Sequence, residues 1–189
     1  MKLNKSVIWT LILLTIVAAL YRVIPNRPWG FAPQWAMAVF AGAIIKDRKW
    51  AFLIPVLSMF ISDIIYQLLY MNGLSSIQGF YDGQLQNYLL FAVLAVFGMM
   101  MKKINVRNII LASLAAPTFY FILSNFILWA GTSGTRGLGR PKTFSGLMQC
   151  YTDALPFYRT SLIATIVFSG ILFGTYYLIS KKQSVIATA

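Results

Sequence analysis

The acidic inventory of this 189-residue chain is four aspartates, Asp47, Asp63, Asp82 and Asp153, with no glutamate, no histidine and one cysteine, Cys150. That inventory removes several chemistries. An internal disulfide, a Cys/His zinc site and Ser/His/Asp or Cys/His catalysis all lack their groups. The carboxylates are too scattered along the chain to argue a general acid/base pair. An enzyme is therefore the least expected class, and no metal or cofactor is expected. What is left is recognition. Asp63 stands in "FISDIIYQLLY" (60–70), a stretch otherwise suited to lipid. An ionised Asp at the centre of an isolated transmembrane helix costs about 2.5 to 3.5 kcal/mol on insertion scales, so such residues face the bundle interior and find a partner. Arg22 and Arg159 are the expected partners. Helical spacing gathers Met59, Asp63, Tyr66, Gln67 and Tyr70 on one face, and Phe121, Asn125 and Trp129, with Ser124 alongside, on another. The similar depth of the two stripes predicts one cavity shared by Asp63 and Asn125. Three roles are open for Asp63: contact with a ligand or with a ligand-holding arginine, a packing pair, or proton coupling in a self-contained carrier or small channel.

The elements that must position these residues follow from composition. The chain is 59% hydrophobic and 11% charged, with a mean hydropathy of +0.72, which predicts an all-α, polytopic membrane helix bundle. Helices are expected near 6–24, 33–45, 50–71, 86–101, 108–130 and 159–180, in a single membrane domain over 1–189. The second, about 20 Å long, falls short of a core of about 30 Å and is either a span or a re-entrant half-helix. Charge favours a span. Ten of the sixteen basic residues (Lys2, Lys5, Lys46, Arg48, Lys49, Lys102, Lys103, Arg107, Lys181, Lys182) then fall on one side, which predicts six transmembrane helices with both termini cytoplasmic. The net charge of +12 is orientation charge in the gaps between apolar runs, not a nucleic-acid surface. The start, "MKLNKSVIWTLILLTIVAAL", also fits a cleaved signal peptide, but the apolar run to Ile24 and the five spans that follow favour a retained first helix.

Long outer connections are expected at 72–87 and 131–158, with "SGLMQCYTDALPFY" as a short helix along the outer surface. Five arginines lie outside, Arg22, Arg27, Arg136, Arg140 and Arg159. Their planar forks suit fixed contacts to carboxylate or phosphate, or to lipid headgroups. Pro55 and Pro117 are predicted to kink the third and fifth helices and open space between them. Small residues at helical spacing (Thr15 and Ala19, Ala38 and Gly42, Gly170 and Gly174, with Ser161, Thr165 and Ser169) allow close backbone approach, by another helix of the chain or by a partner.

"RVIPNRPWGFAPQWAMAVFAGA" (22–43), "AFLIPVLSMFISD" (51–63), "SNFILWA" (124–130) and "GLMQCYTDALPFYRTSL" (146–162) resemble an uncharacterised family of small bacterial membrane proteins grouped with the substrate-binding S components of energy-coupling factor (ECF) vitamin transporters. Asn26, Arg27, Phe31, Pro33, Asp63, Asn125, Trp129, Tyr151, Pro156 and Arg159 match its pattern. Where that pattern has a histidine near the first outer loop, this chain has Pro25, Asn26, Arg27 and Pro28. The resemblance implies a six-helix fold with an outward-facing pocket, working with a transmembrane coupling subunit and ATPases; the chain itself has no GxxxxGK[ST] phosphate loop. It also implies docking through small residues, for which Thr15, Ala19, Ala38 and Gly42 are approximate stand-ins.

The expectation is thus a solute-binding subunit for uptake of a small, vitamin-like molecule. Arg22, Arg27 and Arg159 would hold its anionic group, Trp129, Tyr66 and Phe31 would stack on its apolar body, and Asp63 and Asn125 would form the polar floor. Asn26, Gln67 and Tyr151 complete the expected ligand set. A structural membrane protein without a ligand is the third alternative, beside the proton carrier.

Overall fold

The computed structural model describes residues 5–131 and 139–187, and within helices it gives no side-chain detail for 5–11 and 181–187. Among the described residues the chain is all-helical: α1 (Lys5–Val23), α2 (Gln34–Ile44), α3 (Arg48–Met71), α4 (Gln84–Met99), α5 (Val106–Ala130) and α6 (Phe144–Ala187). Lys2 and Arg136 lie outside the described residues. Three segments are long and apolar enough to cross a membrane, Arg48–Met71, Val106–Ala130 and Phe144–Ser180, and the apolar helices Ile12–Val23, Gln34–Ile44 and Gln84–Met99 are shorter.

The short α2 is the post around which the others stand. Its eleven residues give about 16 Å of helix, yet nine are buried, and it packs against α3, α4, α5 and α6. Small residues make this possible. A methyl group on Gly42 would overlap the Ala95 carbonyl oxygen of α4, and one on Gly98 of α4 would overlap the Val39 carbonyl oxygen of α2. The two backbones touch through reciprocal glycines. Around them Phe40, Phe91, Leu94, Ala116 and Phe173 form the main core, with Phe40 edge-on to Phe173 at 5.1 Å.

Helix starts are set by side-chain caps. The Asp47 carboxylate accepts from the Lys49 amide at 3.0 Å, and the Asn105 side chain accepts from the Asn108 amide at 2.9 Å. α3 and α5 therefore begin two residues before the expected 50 and 108. The larger departure is at α6. The short helix expected over 145–158, within the outer connection 131–158, forms from Phe144 but is continuous with the last helix, so 44 residues run as one element. At 1.5 Å per residue that is about 66 Å, twice a hydrocarbon core of about 30 Å. Its first turns form an arm lying along the end of α5: Tyr151 donates to the Ile122 carbonyl at 2.9 Å, and the Trp129 indole donates to the Pro141 carbonyl, just ahead of α6, at 2.9 Å.

Candidate functional site

The chain connections 24–33 and 72–83 and the α6 arm meet at one end of the bundle, called the loop end below. There the last turn of α1 brings Arg22 to α3. Its guanidinium pairs with the Asp63 carboxylate and donates to the Ser62 hydroxyl at 2.5 Å. Asp63 is 1% exposed, and its second oxygen accepts from the Gln84 amide and, at 2.7 Å, from the Tyr88 hydroxyl. Gln84 and Tyr88 are one turn apart on α4, so a single helix face supplies both donors. Asp63 thereby joins α1, α3 and α4.

Neighbouring groups extend this node without opening it. The Arg22 carbonyl, in the last turn of α1, accepts from the Tyr66 hydroxyl at 2.6 Å and from Arg27 Nε at 2.7 Å; Arg27 also donates to the Phe31 carbonyl at 3.2 Å. The Gln67 side-chain oxygen accepts from the amides of Gly79 and Phe80 at 3.2 and 3.3 Å. Gly79 rests on α3 itself, where any side chain would overlap the Asp63 carbonyl. Gln67 thus pins the 72–83 connection. Replacing it by alanine removes two backbone contacts worth about 1 kcal/mol each. Hydrogen exchange at the Gly79 and Phe80 amides is expected to speed up by about tenfold or more while the bundle core stays protected.

On the far side of α4, which packs against both α3 and α5, lies a cavity of about 510 Å³. It is bounded by Trp35 of α2, by Tyr81, Asp82 and Gly83 ahead of α4, by Gln86, Asn87 and Leu90 of α4, by Tyr120, Phe121, Ser124, Asn125, Ile127 and Leu128 of α5 with Gly131, and by Ala154, Phe157, Tyr158 and Ser161 of α6. Its aromatic walls are held by their own polar atoms. Asn87 accepts from the Tyr120 hydroxyl and donates to the Tyr81 hydroxyl at 2.8 Å, and Tyr158 shares a 2.8 Å hydrogen bond with Thr118. Trp35 and Tyr120 rings lie 4.7 Å apart, and Phe121 stacks on Tyr158 at 4.5 Å. Gln86, Ser124 and Asp82 line the same space with no hydrogen bond among the described residues. The chemistry on offer is aromatic faces, a few free polar groups and one carboxylate.

The structure does not join Asp63 and Asn125 in one cavity. α4 stands between them, so the expected shared pocket gives way to a packed node on one side and a cavity on the other. Of the eleven expected ligand residues, Asn125 lines the cavity; its side chain donates to the Phe121 carbonyl at 2.8 Å. Arg22, Arg27, Asp63, Tyr66 and Gln67 belong to the node. Phe31 packs on Phe168 at 5.5 Å, and Asn26 is exposed in a turn with the positive φ of 61° that asparagine tolerates. Trp129 and Tyr151 hold the α6 arm to α5, and Arg159 is exposed without a hydrogen bond or ion pair among the described residues. Arginine is absent from the cavity lining, so the anion clamp expected of Arg22, Arg27 and Arg159 has no counterpart there.

The small residues divide as well. Thr15, Ala19, Ala38 and Gly42 are buried within the chain, and so are Ser161, Thr165 and Ser169 on the inward face of α6. Gly170 and Gly174 are exposed, with nothing within 4 Å of an added methyl. The sequence pattern did not single out Gln84 and Tyr88, whose four-residue spacing on one polar face was the available signal, or Trp35, Asn87, Tyr120 and Tyr158, which carry no signal outside the fold. No group of three or more metal-ligating side chains occurs among the described residues.

These features define a helical membrane protein with a solute-sized cavity at one end of its bundle. A family model covers residues 2–187, and the chain belongs to that family, DUF6580, a family of unknown function. No curated protein and no solved structure matches the chain.

Proposed function

We propose that the protein is a membrane solute-binding subunit that captures a small molecule in the cavity between α4, α5 and α6 and takes part in its uptake. The observation that carries this is the cavity itself. Its volume of about 510 Å³ falls within the range of about 300 to 1,000 Å³ usual for small-molecule sites, and apolar walls with a few free polar groups are the usual lining. Stacking between aromatic rings would supply affinity, while Gln86, Ser124 and Asn125 would set orientation.

The proposal includes six spans with both termini on the cytoplasmic side of a bacterial inner membrane, so that the loop end faces outward. It is supported by the basic residues at the opposite end, Lys46, Arg48, Lys49, Lys102, Lys103 and Arg107. It also includes a separate coupling and ATPase module, as in the ECF transporters the sequence resembles. A partner helix would approach Gly170 and Gly174, open on α6 between Ile163, Val167, Ile171 and Leu178, which are exposed. Asp63 is assigned to holding the α4 wall of the cavity rather than to carrying protons or touching the ligand.

A thermal-shift screen of purified protein against vitamins and cofactors tests the reading. At saturating ligand, about a hundredfold above Kd, stabilisation of about 2.7 kcal/mol is expected. Ser124→Trp, which puts an indole into the cavity from a residue without other hydrogen bonds, abolishes the shift and leaves the unliganded melting temperature near that of the parent. A shift that persists in Ser124→Trp places the ligand elsewhere.

A further inference from the structure

We infer that the cavity selects a planar aromatic cation and that Asp82 determines this selectivity; the inference rests on the solute-binding role proposed above. Charge is the first observation. Asp82 is the one formally charged residue among those lining the cavity. It is exposed, one residue before Gly83, which caps the start of α4, and its side chain has no hydrogen-bond or ion-pair partner among the described residues. Part of its charge complements the amino end of α4, but both oxygens are free to meet a ligand. The three other described aspartates are each engaged: Asp63 with Arg22, Asp153 with Arg140, and Asp47 with the Lys49 amide.

The second observation is how the walls present themselves. The Tyr120 hydroxyl is spent on the Asn87 side-chain oxygen, the Asn87 amide on the Tyr81 hydroxyl and the Tyr158 hydroxyl on Thr118, so these rings contribute aromatic surface rather than free donors. Ring faces carry negative electrostatic potential and attract cations, most strongly where water is excluded. A carboxylate at the rim and aromatic faces behind it favour the same sign of charge. The Lys142 ammonium, close in the chain to the lining residue Gly131, is itself outside the lining and is bound to the Trp129 and Gly131 carbonyls at the end of α5. A planar ligand would exploit the ring faces through stacking, and its positive charge would meet Asp82 at the mouth.

Three probes of similar shape separate charge from stacking: 1-methylquinolinium, quinoline, which is neutral at pH 7.5, and 1-naphthoate. Binding to the detergent-purified full chain is read by isothermal titration or tryptophan fluorescence. We expect the cation to bind about tenfold more tightly than quinoline and the anion more weakly than either. Asp82→Asn brings the cation to within about twofold of quinoline and leaves quinoline binding unchanged, whereas Asp153→Asn, the same charge change outside the cavity, preserves the preference. Binding of quinoline and the cation with equal affinity, blocked by Ser124→Trp, overturns the cation selectivity and leaves the solute-binding role standing. Binding of no probe also overturns the cation selectivity, while the vitamin and cofactor screen above decides the solute-binding role separately.

Discussion

Asp63→Ala is expected to destabilise the protein by about 3 kcal/mol, the lower part of the range for breaking a buried ion pair, because the Arg22 side chain keeps about a fifth of its surface exposed. The substitution removes the shared acceptor of three donors at once. Arg22 keeps the Ser62 hydroxyl as its near partner, and Gln84 and Tyr88 lose the acceptor that ties α4 to α3. Neutral removal of both charges is a different perturbation: Asp63→Leu with Arg22→Met replaces the pair with apolar volume and is expected to recover more than half of the loss. Melting curves in mild detergent check both variants. The proton-carrier alternative makes the opposite forecast, with stability kept in Asp63→Asn and proton flux in liposomes lost.

Gly42→Ala should be nearly as damaging despite adding a single methyl group. Alanine in place of a mid-helix glycine ordinarily gains about 0.5 to 1 kcal/mol. Here the methyl overlaps the Ala95 carbonyl oxygen, and α2 is enclosed by four helices, so relief requires separating α2 from α4. We expect a net loss of about 2 to 3 kcal/mol, the range for overpacking a tight core. Gly170→Ala is the matched control. Its methyl meets nothing within 4 Å, so the isolated protein is expected to hold its stability or gain up to about 1 kcal/mol. Equal losses in the two variants would contradict the close approach of α2 and α4.

These two sites also show what the sequence could and could not disclose. The unusual Asp63 and its partner Arg22 were legible because a charge in an apolar helix demands a counter-charge of matching depth, and few candidates existed. Gln84 and Tyr88 were less so, since amides and tyrosines at a helix start are ordinary. The shared cavity failed for a geometric reason: similar depth along two helices says nothing about which helix stands between them, and α4 does. Four of the six small residues expected at a partner's surface turned out to serve internal packing, a distinction that periodicity alone does not make. The helicity of 145–158 was legible from its amphipathic pattern; its continuity with the last helix was not. Pro156 sits inside the continuous helix, where a proline ordinarily argues for a break. The cavity walls assemble from residues of four helices, each unremarkable in its own segment.

The most direct test of the solute-binding role is native mass spectrometry of the protein and of Ser124→Trp, both released gently from their native membrane. We expect a bound small molecule on the parent chain, absent from Ser124→Trp at equal folding. The same adduct on both, or none on either, would contradict the assignment of the α4–α5–α6 cavity as the binding site.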